Sequence, residues 1–269
     1  MIQLPVVALP ARAQSQLVRW QREIDELASY ANRVDAGKTR FTSRNTNTNA
    51  TFREVRKALT QMCSGAQRCA YCEDSAANQV EHMRPKDLYP EEVFQWLNYT
   101  HACGLCNGPK NNKFGVLLPA QTDVTIVTRQ RDEPVVPPLA GTFALLDPRT
   151  EDPFDFLHLD LLDTFYFVPR AGLPESAHSR AEYTIDLLTL NTRDYLPQAR
   201  AEAYGSYRAR MVEYLDRRAD QRPAQELTAL IQALQRMQHP TVWREMQRQQ
   251  ALLPELTPLF ARACEALAW

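Results

Sequence analysis

Two tight cysteine pairs, Cys69-Ala-Tyr-Cys72 and Cys103-Gly-Leu-Cys106, carry the first readable chemistry of this chain. A Cys-x-x-Cys turn holds two sulfurs at the separation that a tetrahedral Zn²⁺ needs, about 2.3 Å from the metal, and two such turns complete a closed structural site. Six cysteines in 269 residues fit a reducing compartment, where thiolates serve metals better than disulfides. Cys63 and Cys264 stand outside the pairs and read as small buried or half-buried thiols. Between and just beyond the pairs lies a second set of groups: the neighbours Glu81 and His82, then Lys86, Asn98, Asn107 and Lys110. An imidazole with an ordinary pKa of about 6.5 takes a proton from water at neutral pH more effectively than a carboxylate does.

The surrounding elements must hold these groups in place. Leu17, Trp20, Ile24, Leu27 and Ala31 recur at helical spacing, so Gln14 to Asn32 reads as one amphipathic helix. Gly37 to Asn49 has no apolar period and is rich in hydroxyl, amide and basic groups, which predicts an exposed loop presenting Lys38, Arg40 and Arg44. Thr51-x-x-Glu54 is a capping-box signature before Phe52, Val55, Leu59 and Met62, so a second helix should end just before Cys63. The insert between the cysteine pairs reads as a short β-hairpin around Val80 to Met83, a helix or loop through Glu91 to Trp96, and a second knuckle leading into a helix. Strand-like pieces follow at Val124–Thr128, Thr142–Leu146 and Phe156–Val168. From Ser179 the pattern is helical again, with Tyr204, Tyr207, Met211 and Tyr214 on one stripe and Leu227, Leu230, Ile231 and Leu234 on another. Pro223, Pro240 and Pro254 should separate these helices.

From Arg68 to Phe114 the chain resembles the HNH endonucleases, which use a ββα-metal fold that two Cys-x-x-Cys knuckles staple in the zinc-bearing branch. The resemblance rests on Cys72-Glu73, Glu81-His82 with Pro85 three residues on, Trp96-x-Asn98, and Cys106-Asn107 with Lys110 three residues on. It implies that His82 is the general base and that Glu81 and Asn107 are ligands of one catalytic Mg²⁺ or Mn²⁺. Asn98 would orient the base or brace its loop, and Cys69, Cys72, Cys103 and Cys106 would hold a structural Zn²⁺. Lys86 or Lys110 would contact the phosphate backbone, a positioning role with little sequence information. The final motif position is Asn rather than His, and Glu rather than Asp precedes the base.

A narrower resemblance links Tyr89-Pro90, Phe94-x-Trp96, Leu146-Asp147-Pro148, Asp152-Pro153 and Ile185-x-x-Leu188-x-Leu190-Asn191 to HNH proteins of the PtuB type. Those occur in Septu and retron-associated anti-phage systems, paired with an ABC-type ATPase. It implies such a partner here, docked on the helical C-terminal part.

The expected fold class is α+β: an N-terminal helical segment with a basic loop (1–62), a ββα-metal core with its four-cysteine zinc site (63–118), and a strand-then-helix region (119–269). The net charge is −1, but residues 1–60 hold ten Lys and Arg against five Asp and Glu, while residues 116–269 hold sixteen against twenty-one. A polyanion would therefore approach from the N-terminal side. With no apolar run of membrane-spanning length and no secretory signal pattern, a cytoplasmic address without membrane association is expected. The expected function is metal-dependent hydrolysis of nucleic-acid phosphodiesters, DNA foremost. An RNA nuclease with the same groups, or a zinc-ribbon adaptor without catalysis, is the alternative.

Overall fold

The computed structural model describes residues 1–63 and 65–269, and their architecture is α+β. Three helices open the chain: α1 (Ala11–Asp25), α2 (Tyr30–Arg44) and α3 (Ala50–Met62). Leu17, Trp20 and Ile24 of α1 and Phe52, Val55 and Leu59 of α3 are buried together, so the helical spacing of each set becomes a packed face. The helix anticipated over Gln14 to Asn32 is two helices, broken between Asp25 and Tyr30, where the Ser29 side chain caps α2 by accepting from Asn32 N. The expected exposed loop from Gly37 is also corrected, because α2 continues to Arg44. Its core stripe is Val34, Gly37 and Phe41, and a glycine in that stripe hides the period. A Cβ on Gly37 would stand 2.9 Å from a Val93 methyl, so only glycine lets α2 lie this close to the Val93 turn. The cap of α3 is Asn49, whose Oδ1 accepts from Phe52 N at 3.1 Å, rather than Thr51, which lies inside the helix.

The centre is a two-stranded antiparallel ribbon, β1 (Gln79–His82) with β2 (Tyr99–Ala102). Glu81 lies opposite Thr100 and His82 opposite Tyr99. The strands are therefore not a tight hairpin at Val80–Met83. A long connection through 3₁₀ turns at Pro90–Glu92 and Trp96–Asn98 joins them. The second cysteine knuckle then opens α4 (Gly104–Lys110) as the spacing predicts.

Downstream, β3 (Gly115–Leu117), which no clear alternation announces, is the middle strand between β4 (Val124–Ile126) and β5 (Thr142–Phe143). A separate pair, β6 (Leu157–Leu159) and β7 (Phe167–Pro169), overlaps the anticipated stretch from Phe156 to Val168 and ends one residue beyond it. The remainder is helical: α5 (Glu175–Leu187), α6 (Tyr195–Ala219), α7 (Ala224–Gln235), α8 (Pro240–Gln249) and α9 (Thr257–Arg262). Pro223 and Pro240 stand at the starts of α7 and α8, where a missing N–H removes no helical bond.

Two apolar cores result. The smaller one gathers α1, α2 and α3 with Val80, Phe94, Trp96 and Tyr99, and the larger one gathers the cysteine knuckles, β3, β6, β7 and the C-terminal helices. The central ribbon is the seam between them.

Candidate functional site

The zinc-type site is built from short-range turns and locked by long-range contacts. Cys69, Cys72, Cys103 and Cys106 are all buried, and their sulfurs lie within 4.8 Å of one another, with Cys72 Sγ and Cys103 Sγ at 3.9 Å. A tetrahedral ion at about 2.3 Å from each sulfur needs sulfurs about 3.8 Å apart, so the donor set suits Zn²⁺. Glu73 takes a left-handed φ of 61° just after the first knuckle. Its carboxylate accepts from Thr241 N at 3.1 Å and Thr241 Oγ1 at 2.7 Å, tying the knuckle to the start of α8. Arg193 Nη2 donates to Cys106 Sγ at 3.3 Å, placing a cation against a thiolate cluster that keeps negative charge after Zn²⁺ binds. Neither partner is suggested by local spacing. His101 packs beside this region, its Nδ1 3.9 Å from Cys63 Sγ, and burial pushes its pKa down to about 4.

Beside the cysteines, the alternation of β1 sends its residues to opposite sides. His82 is 5% exposed and sits edge-on between the rings of Phe41, at 4.4 Å, and Tyr99, at 5.2 Å. Its Nε2 lies 3.0 Å from Val93 O, a carbonyl that also accepts from Tyr99 Oη at 2.6 Å. A carbonyl can only accept, so Nε2 carries the hydrogen and Nδ1 keeps its lone pair. Burial, aided by the Lys86 and Lys110 cations, pushes the His82 pKa down to about 3.

Glu81 faces α4, where the fully buried Lys110 donates to Glu81 Oε1 at 2.5 Å and to His82 O at 2.8 Å. Burial raises the Glu81 pKa against the opposing pull of Lys110. Lys110, expected to reach a phosphate, thus has no exposed surface in this arrangement. Asn107 Nδ2 donates to Gln79 Oε1 at 2.7 Å, which leaves its own Oδ1 for another partner.

A cavity of about 410 Å³ runs along the unpaired edge of β1 and brings Glu81, His82, Lys86 and Asn107 together. Phe41, Asn45, Asn47 and Arg56 close it on the N-terminal side. Arg56 was not singled out by its local sequence. Asn98 does not line this cavity. It is buried in the connection between the strands, accepting from Arg84 N at 2.8 Å and donating to Arg84 O at 3.1 Å and Glu92 O at 3.0 Å. Three such bonds fix the loop that follows His82. Lys38, Arg40 and Arg44 are also outside the cavity: Lys38 pairs with Asp87 at 3.0 Å, while Arg40 and Arg44 pair with Glu23 at 3.6 and 2.6 Å. Among the described residues, no helix is long and apolar enough to cross a membrane.

No family model matches the chain, and no solved structure matches it. The Septu protein PtuB of Bacillus thuringiensis is 39% identical to it over 61 residues, 21% of this chain and 23% of that protein. The similarity thus spans less than a quarter of either chain.

Proposed function

We propose that this chain is a metal-dependent nuclease of the HNH type, acting on DNA as an effector of anti-phage defence. The observation that carries the reading is the state of His82: a neutral imidazole with Nε2–H fixed to Val93 O and Nδ1 left free on a cavity shared with Glu81 and Asn107. A neutral imidazole with a free Nδ1 is the form a general base needs before substrate arrives, and an anionic phosphate drawn beside it would offset the Lys86 and Lys110 cations that hold its pKa down. The defence setting is supported by the stretch similar to Septu PtuB, and the resemblance to PtuB-type proteins implies an ABC-type ATPase as partner.

The donor set beside His82 fits a hard cation. Lys110 engages one oxygen of Glu81, and the other oxygen and Asn107 Oδ1 are donors of the kind that Mg²⁺ or Mn²⁺ takes together with water. Bound there, such a cation supplies stabilisation of negative charge on the scissile phosphate and the leaving 3′ oxygen. His82 Nδ1 accepts a proton from the attacking water as the new P–O bond forms and the bond to the 3′ oxygen breaks. The Val93 carbonyl holds the imidazole in the tautomer that can do this, and its charge-stabilising contact strengthens as the ring becomes positive. Lys86 and Arg56, both on the cavity, hold the phosphate chain; Asn98 is a positioning residue for the loop after the base. The four thiolates hold Zn²⁺ as scaffold.

The test is incubation of the full chain with plasmid, single-stranded DNA and tRNA, with and without Mg²⁺ or Mn²⁺, alone and with the ATPase partner. Cleavage of DNA by wild type and its loss in His82→Ala is the expected result. Identical behaviour of the two proteins on every substrate would sink the nuclease reading, and preference for tRNA would move the target to RNA.

A further inference from the structure

The cavity beside His82 is lined by amides to an extent that phosphate binding does not require. Asn45 and Asn47 face it from the connection between α2 and α3, Asn78 and Gln79 from the start of β1, and Asn107 and Asn111 from α4 and its end. Only Lys86 and Arg56 among the lining residues bring positive charge. Phosphate contacts draw chiefly on cations, whereas a side-chain amide offers a paired donor and acceptor, the pattern that matches a base edge.

Asn47, Asn78 and Asn111 are exposed, and their side chains have no hydrogen-bond partner among the described residues. Asn111 ends α4 with a positive φ of 39°, a conformation that L-residues reach only with strain. The bond from Asn107 Nδ2 to Gln79 Oε1 fixes the Gln79 amide on the same surface with its Nε2 as donor, while Asn107 Oδ1 is kept for the cation.

A concave site walled on both sides does not admit the continuous edge of a duplex, whose major groove is read by a protruding helix or ribbon. It does admit a base that has left its stack, read on its pairing edge. We infer that this amide wall is a specificity site: it hydrogen-bonds the pairing edge of an unstacked nucleobase in single-stranded DNA next to the phosphate presented to His82. The assignment rests on the nuclease reading and adds base preference to it. The connection between α2 and α3 thereby contributes Asn47 to recognition, while the Asn45 side chain holds Arg56 by accepting from its guanidinium.

The experiment is fluorescence anisotropy with twelve-nucleotide homopolymers of dA, dC, dG and dT on the full-length His82→Ala protein, which prevents cleavage. The expected result is that one homopolymer binds about ten-fold or more tightly than the weakest, the discrimination of one good amide pair. Adding Asn47→Ala and Asn78→Ala should bring all four within about two- to three-fold while the weakest keeps its affinity. Both side chains are exposed and unbonded, so the melting temperature and zinc content should not move. Equal affinity for all four homopolymers in the starting protein, or a preference that survives removal of the amides, overturns the inference and leaves the nuclease reading standing. Binding to none of them overturns the inference, while plasmid cleavage that is lost in His82→Ala would keep the nuclease reading.

Discussion

Lys110 Nζ lies 2.5 Å from Glu81 Oε1 with both side chains buried, and the same ammonium reaches the carbonyl of His82. One cation thus spans both residues at the head of the candidate site and pairs with the carboxylate beside His82. Removing one partner of a buried pair leaves an uncompensated charge, so Lys110→Met should cost about 3 kcal/mol or more in urea denaturation. The double variant Lys110→Met with Glu81→Gln should recover much of that loss. Equal stability of the single and double variants would show that the pair is not coupled.

Zinc and catalysis should separate cleanly. Cys69→Ser breaks a closed four-thiolate set and should lose metal and unfold the knuckles, because the free energy of binding a structural zinc is folding free energy. His82→Ala should retain zinc and fold. Equal metal content in the two variants, read by elemental analysis, would refute this division.

Burial depresses the His82 pKa to about 3 from its ordinary value, with the Lys86 and Lys110 cations adding to the shift. The unfolded chain therefore binds the proton first as pH falls. The stability owed to neutral His82 is fully present above about pH 6.5 and is lost progressively down to about pH 3, at up to about 1.4 kcal/mol per pH unit. Wild type should lose urea stability more steeply than His82→Gln across that window. Parallel pH curves for the two proteins would contradict the assignment.

Asn98 satisfies Arg84 N, Arg84 O and Glu92 O from within a buried loop. Asn98→Ala should destabilise the protein by about 2 kcal/mol through the polar groups left unpaired, with zinc content unchanged. A thermal melt beside a metal assay reads both quantities, and an unchanged melt would show that the loop is held by other contacts.

The cations differ in what they can still attract. Lys38, Arg40 and Arg44 are already paired with Asp87 and Glu23, whereas Lys86 and Arg56 line the cavity. Replacing Lys86 and Arg56 together by alanine should reduce the salt slope of DNA binding by up to about two, and the Lys38, Arg40, Arg44 triple alanine variant should change it less. The reverse order would move the backbone track to the outer face of α2.

The parts of this site that sequence reveals are the local ones. A two-residue gap between cysteines places sulfurs without help from the rest of the chain, so the thiolate set reads directly from spacing. The bond from Thr241 to Glu73 spans 168 residues and that from Arg193 to Cys106 spans 87, and no period or motif announces either. Helix α2 escaped the apolar count because Gly37 occupies one of its core positions and Val93 fills the space a side chain would take. Lys110 reads as a surface cation at the end of a helix; only the packing of α4 on β1 turns it inward. Conversely, Tyr204, Tyr207, Met211 and Tyr214 are buried along α6 because a long amphipathic stripe depends on little beyond its own period.

Adjacent residues of a strand belong to different environments, and in β1 the division falls between Glu81 and His82. His82 is gripped by Phe41 and Tyr99 on the side of the N-terminal helices, while Glu81 is gripped by α4, which the cysteine knuckle joins to the helices of the C-terminal region. The alignment of acid and imidazole is therefore a comparison between two bodies. The relative placement of these two neighbouring side chains depends on the packing of both apolar cores at once.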